Sequence, residues 1–331
     1  MKQASYWHKE QSGTIRCELC PNNCQIAEGG NGVCRIRMVK NGAMFTEGYG
    51  NITSCHLDPI EKKPLHHFYP GVAIFSIGGW GCNLVCEFCQ NWSISQQMQS
   101  CGEKYYNPQI MIAMAKEGDS IGIAYTYNEP LINIEYVADC ARLAREAGLK
   151  NVLVTNGFIN AGPASELLKY IDAMNVDVKG FNEDFYRKYC HGKVGPVLDF
   201  VQQSVDAGCH VELTNLVIPG LNDGEDDFRQ LSQWVGQKLG KHVPLHLSAY
   251  HPMYKMRIPA TPAATIEKGR RICRDYLSYV YAGNVYGGEG QDTECPECNT
   301  KLIVRAGYSV KVVGIKSNKC KKCARPVDIV M

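Results

Sequence analysis

The sequence predicts an α/β fold, a parallel sheet with helices outside, carrying a small cysteine-rich segment near each end. Three observations predict it. Between Gly71 and about Gly287, short apolar runs alternate with amphipathic stretches, the pattern of repeated strand–helix units. The runs are largely apolar and rich in β-branched residues, as the strands of a parallel sheet covered by helices are. Polar residues recur just after the runs, where the loops of such folds carry chemistry. At 331 residues the chain accommodates one large domain with appendages. Composition divides it into 1–50, 51–287 and 288–331.

The bulk properties exclude several classes. With 35 basic and 33 acidic side chains, no basic field marks a nucleic-acid surface. No apolar run reaches the length of a membrane span. The start, Met1 to Tyr6, lacks the apolar core of a signal peptide. A cytoplasmic location is therefore expected, and the 17 cysteines are expected to bind metal rather than form disulfides. Isolated Cys55, Cys101, Cys140, Cys190, Cys209 and Cys273 are expected to pack as small apolar residues.

Taken in order, the first element is a knuckle, Cys17-x2-Cys20-x3-Cys24-x9-Cys34. So short a segment builds little core, so a metal staple is expected. Four thiolates close a site, and zinc or a second iron–sulfur cluster both suit them. Residues 33–44 alternate around Asn41-Gly42, a hairpin signal of type I′. The next stretch, Gly48 to Pro70, is rich in charge, His and Pro, including Asp58, Glu61, Lys62, Lys63, His66 and His67. Charge runs usually face water, so a solvated loop with a short helix starting at Pro59 is expected. A cavity wall or partner surface is the alternative.

Six strands follow, at Val72–Ile77, Ile121–Tyr125, Asn151–Thr155, Ala173–Val178, His210–Ile218 and Pro244–Ser248. The helices between them are expected at 108–117, 131–147, 164–170, 182–189, 197–207 and 226–239, with a further helix at 265–276 and a closing strand at 279–286. Residues 287–290, Gly-Gly-Glu-Gly, read as a flexible linker. The last segment places Cys295-x2-Cys298 and Cys320-x2-Cys323 around two strand-like runs at 302–305 and 309–313. That spacing signals a zinc ribbon, with a rubredoxin-type iron site as the rival.

One cysteine group differs from the other two. Cys82-x3-Cys86-x2-Cys89 follows the first strand and the Gly78-Gly79 break. A 4Fe–4S cluster normally takes four thiolates, and this motif supplies three. Three leave one iron open, as a catalytic metal needs. A structural zinc knuckle with a distant fourth ligand is the alternative.

The triad with aromatic Phe88 beside its last cysteine resembles the signature of radical S-adenosylmethionine (radical SAM) enzymes. Asp58-Pro59-Ile60-Glu61-Lys62-Lys63-Pro64-Leu65, the triad with Gln90-Asn91, and Tyr127-Asn128-Glu129-Pro130 together resemble the radical SAM component of the AmmeMemoRadiSam system. That group is similar to glycyl-radical-enzyme activases. The resemblance implies a partial (β/α)6 TIM-like barrel, a 4Fe–4S cluster on Cys82, Cys86 and Cys89, and bound S-adenosylmethionine. It implies Phe88 near the adenine and the loop of Tyr127, Asn128 and Glu129 at the methionyl amino group, with Tyr-Asn where relatives carry Gly-Gly. Asn156, Asp177 and Lys179 match positions around the ribose and carboxylate. Asn215, beside Thr214, stands where relatives often carry an Arg, and His251 is expected near the substrate.

The chemistry implied is reductive cleavage of S-adenosylmethionine to a 5′-deoxyadenosyl radical, which abstracts hydrogen from a protein or peptide. A small molecule or RNA base is the alternative substrate. A multi-metal electron carrier or scaffold is the alternative of another class. Expected partners are a flavodoxin or ferredoxin as electron donor, and Memo-type and AMMECR-type proteins.

Overall fold

A computed structural model describes residues 1–97, 105–285 and 290–331. Cys101 and most of the linker expected at 287–290 lie outside the described residues. The described residues form an eight-stranded sheet. In chain order its strands are β1 (Ser54–Pro59), β2 (Ala73–Gly78), β3 (Gly122–Tyr125), β4 (Lys150–Thr155), β5 (Ala173–Asp177), β6 (His210–Val217), β7 (Leu245–Ala249) and β8 (Val280–Gly283). They lie side by side in that order. Pairing from β2 to β8 is parallel, and β1 pairs antiparallel with β2 at the edge.

The six expected strands are thus joined by two more. The closing strand is β8, shorter than expected. The edge strand β1 escaped the sequence pattern because His56 and Asp58 interrupt its apolar alternation. Helices Pro108–Glu117, Ile134–Glu146, Ala161–Leu168, Gly195–Asp206, Glu225–Trp234 and Ala263–Arg274 accompany the strands. The helix expected at 182–189 becomes a short α turn, Glu183–Phe185, continued by a π turn, Tyr186–Cys190.

Alternation along each strand divides the sheet into two faces. Met174, Val176, Leu213, Val217 and Leu247 join the main apolar core with the helices. On the other face, Ala124, Val152 and Ala173 pack with Ile60, Leu65 and Phe68. The stretch after β1 therefore covers the inner face of the sheet. The expectation of a solvated loop there is wrong: Ile60, Glu61, Lys63, Leu65, His66, His67 and Phe68 are all buried. The charges are tolerated because each finds a partner inside. Lys63 donates to Asp58 at 2.7 Å, Glu61 accepts from Gly71 N–H at 2.8 Å, and the His66 and His67 N–H groups donate to Glu212 at 3.0 and 2.7 Å.

Residues 1–50 form small antiparallel sheets. The hairpin joins Arg37–Lys40 to Ala43–Thr46 through Asn41 (φ 52°) and Gly42 (φ 70°), both left-handed as a type I′ turn requires. The C-terminal segment pairs Lys301–Ala306 with Ser309–Val312. It is tied to the starts of the sheet strands: His67 and Asp328, Tyr279 and Asp328, and Arg305 and the His66 carbonyl are hydrogen-bonded.

Candidate active site

The triad occupies the loop after β2. Gly81, at φ +82°, starts it, and Asn128 fixes its approach. The Asn128 amide accepts from Gly79 N–H at 3.0 Å and donates to the Trp80 and Gly81 carbonyls at 3.0 and 3.1 Å. The loop is pinned at each cysteine. Asn156 reaches the Cys82 sulfur at 3.5 Å and Asn83 at 2.9 Å. Ser95 lies 3.0 Å from the Cys89 sulfur. Val85 and Glu87 N–H groups donate to the Cys190 and Tyr189 carbonyls, each at 3.0 Å.

A cavity of ≈ 430 Å³ opens at the C-terminal ends of the strands. Its lining includes Cys82, Cys86, Cys89, Phe88, Tyr127, Asn128, Glu129, Asn156, Asp177 and Lys179, so ten of the twelve expected site residues meet there. Asn215 does not line it; its amide donates to the Val178 carbonyl at 2.8 Å and points away from the inner face. His251 is exposed and also lies off the cavity. Alternation along β6 explains the placement: Thr214 and Leu216 line the cavity, and Asn215 between them faces outward.

Lys62 and Lys63 line the cavity, as the alternative reading of the stretch after β1 as a cavity wall has it. Two further features escaped the sequence reading. The Tyr127 hydroxyl hydrogen-bonds to Asp58, and the Lys63 ammonium lies 4.6 Å from the centre of the Tyr127 ring. Cys190, expected only to pack, lies close enough to the Cys86 thiol to raise it. The segment with Lys62-Lys63 carried the signal for the first of these; nothing in the sequence marks Cys190.

Electrostatics separate the polar groups. Burial pushes the Glu129 carboxyl up to about 7, against donors from Thr155, Asn156 and Leu131. Those donors, at 2.7, 2.8 and 2.9 Å, tie the loop after β3 to the end of β4. Burial would lower the Lys179 ammonium, but the Asp177 carboxylate outweighs it and helps hold it well above its usual range. Lys179 donates to Asp177 at 2.9 Å. Burial raises Cys82, and the Cys190 contact followed by burial raises Cys86. Left to themselves both would be neutral thiols, so a metal must displace their protons.

The residues fit an iron–sulfur cluster better than a single ion. Among the described residues, the C-terminal four cysteines form the group whose ligand atoms all lie within 4.8 Å of one another. The triad is set wider, as three thiolates on three different irons would be. At the C-terminus the sulfurs of Cys295 and Cys323 lie 3.5 Å apart, and those of Cys298 and Cys320 3.6 Å apart. A second cavity, of ≈ 280 Å³, lies there between Tyr279, Tyr281 and Cys295, far from the triad.

Residues 77–234 match the radical SAM superfamily. An uncharacterized protein of Methanocaldococcus jannaschii is 40% identical over 336 residues, with both chains covered completely. The pyruvate formate-lyase-activating enzyme of Clostridium pasteurianum is 24% identical over 177 residues, covering 52% of this chain and 73% of that one. Among solved structures, a radical SAM methyltransferase from Sphaerobacter thermophilus shares the fold with a TM-score of 0.51 and 16% identity, over 68% of this chain and 71% of that one.

Proposed function

The chain belongs to the radical SAM superfamily and is an enzyme, and we propose that it cleaves S-adenosylmethionine reductively to act on a protein or peptide substrate. The observation that carries this reading is the cavity that the triad shares with Phe88, Asp177 and Lys179. Cys82, Cys86 and Cys89 would hold a 4Fe–4S cluster. When bound, cluster and S-adenosylmethionine supply a 5′-deoxyadenosyl radical for hydrogen abstraction. The chain's own residues position and exclude. Asn128 and Asn156 fix the loop that carries the cysteines. Lys179, held charged by Asp177, offers a cation to a carboxylate in the cavity. Phe88, buried against Phe185 with ring centres 5.9 Å apart, offers an apolar wall to a purine.

A protein substrate is supported by the activating enzymes among the relatives. The closely set C-terminal cysteines suit one zinc ion, since metal–sulfur bonds of about 2.3 Å put tetrahedral ligands about 3.8 Å apart. The fold is read as a partial (β/α) barrel with this ribbon appended. The motifs around Asp58, Gln90 and Tyr127 support membership of an AmmeMemoRadiSam system, with Memo-type and AMMECR-type partners and a flavodoxin or ferredoxin donor. Among the described residues no helix is long and apolar enough to cross a membrane, and a cytoplasmic location suits the reduced thiols. The test is anaerobic incubation with dithionite and S-adenosylmethionine. Formation of 5′-deoxyadenosine, lost in Cys86→Ala, is expected; none above background from protein with its full iron content sinks the proposal.

A further inference from the structure

We infer that Cys17, Cys20, Cys24 and Cys34 hold a second 4Fe–4S cluster, closed by four thiolates and lying against the loop of the triad. Spacing is the first argument. A single tetrahedral ion needs sulfurs about 3.8 Å apart, and the C-terminal set meets that. The N-terminal set does not contract to within 4.8 Å as the C-terminal one does. In a 4Fe–4S cluster each thiolate binds a different iron, so its ligands stand farther apart than those of one ion.

The second argument is the donors around the site. The Val33 N–H donates to the Cys24 sulfur at 3.5 Å. Two further buried N–H groups have no hydrogen-bond partner, Arg37 Nε and Trp80 Nε1. Trp80 shares one buried apolar cluster with Cys34 and Ile36, and the Arg37 guanidinium acts electrostatically on Cys17 and Cys34. Both side chains are 1% exposed. A buried donor left unpaired carries an uncompensated desolvation cost. A cluster brings inorganic sulfides that accept such donors, and a bare zinc ion brings none.

The third argument is location. Asn22 donates to the Asn83 carbonyl at 2.7 Å, next to Cys82. A Cβ on Gly81 would lie 2.4 Å from the Cys34 carbonyl. Arg35 donates at 3.3 Å to the carbonyl of Ser95, the residue whose hydroxyl meets Cys89. Cys17, Cys20 and Cys34 are buried and Cys24 is partly exposed, so one edge of the site reaches solvent and the other touches the triad loop. A closed cluster has no open iron for S-adenosylmethionine. It can accept one electron from an external low-potential donor and yield it to the centre on the triad, with no bond made or broken; only this last role rests on the function proposed above.

Metal analysis and Mössbauer spectra of the full chain, reconstituted without oxygen, test the inference. The wild type should hold about eight iron and about one zinc, and the Cys82→Ala/Cys86→Ala/Cys89→Ala variant about four iron in a cubane spectrum. About one zinc retained in that variant reports that it has folded. A variant with no iron and about two zinc, or a wild type with about four iron, overturns the inference. Cys20→Ala/Cys24→Ala should lose half the iron and keep the triad's cluster; full retention also overturns it. In the reduced wild type, neighbouring paramagnetic clusters should give an EPR spectrum broadened beyond the sum of the two variants. A simple sum would refute the adjacency. None of these readouts needs turnover, so absence of 5′-deoxyadenosine would count against the proposed function alone.

Discussion

Asn128 acts through the backbone rather than toward the cavity's contents. Its amide closes on Gly79, Trp80 and Gly81, the residues that deliver Cys82. Tyr127, Asn128 and Glu129, expected at the methionyl amino group, line the cavity with the triad, and their side chains also hold the loop in place. Glu129 is likewise turned onto Thr155 and Asn156, and the Tyr127 backbone sits at φ +72° so that its carbonyl can accept from Asn91 at 2.6 Å. Sequence shows which residues follow a strand, not which way each side chain turns. Asn128→Ala should leave buried backbone groups unpaired, destabilise the protein by about 2–4 kcal/mol, and slow 5′-deoxyadenosine formation roughly tenfold or more. Asn128→Asp should not rescue it, because a carboxylate cannot donate to the Trp80 and Gly81 carbonyls. Thermal melts and product assays on both variants check this; rescue by Asp would mean the amide donors are idle.

Among the elements, the helices and the parallel strands were legible because periodicity reports burial directly. The stretch from Ile60 to Phe68 was not, because its burial depends on partners far away in sequence. Glu212 on β6 is the main one. It accepts from the His66 and His67 N–H groups and from His246 at 2.7 Å and His210 at 3.1 Å. His67 sits within this network as a neutral ring. Nδ1–H donates to the Asp328 carbonyl at 2.7 Å, so Nε2 accepts from the Tyr281 hydroxyl at 2.6 Å. A second ring proton would displace that donor. Burial accordingly holds His67 down to about 4. The unfolded chain binds this proton near pH 6.5 and the folded chain only near 4, so the sign is fixed. The contribution is complete above about pH 6.5 and is lost as pH falls toward 4, by about 3 kcal/mol at the acid end. Denaturant midpoints should fall across that window, and less steeply in His67→Phe. Identical slopes in the two proteins would remove His67 from the account.

At the scale of the whole molecule, the two ends of the strands carry different tasks. The cavity and both wider cysteine sets gather at the C-terminal ends, while the C-terminal segment binds the starts of β6, β7 and β8 through the stretch around His67. Its own core is small, with Cys295, Leu302, Ile303, Cys320 and Ile329, so its folding would lean on the zinc ion proposed there. Its grip on the sheet includes Arg305 to the His66 carbonyl at 2.7 Å and the paired backbones of His67, Tyr69 and Val330. Cys298→Ala removes one of four ligands. Zinc should be lost, and with it the order of this segment and the support it gives the inner face. The thermal midpoint should drop by roughly 5–10 °C. The triad is held by contacts that none of this touches: Asn128, Asn156, Ser95 and the 1–50 segment. Production of 5′-deoxyadenosine well below the melting range should therefore stay within about twofold of wild type, as distant sites behave independently. A collapse of that activity in protein still folded, with its iron intact, would show that the C-terminal segment shapes the cavity from across the sheet.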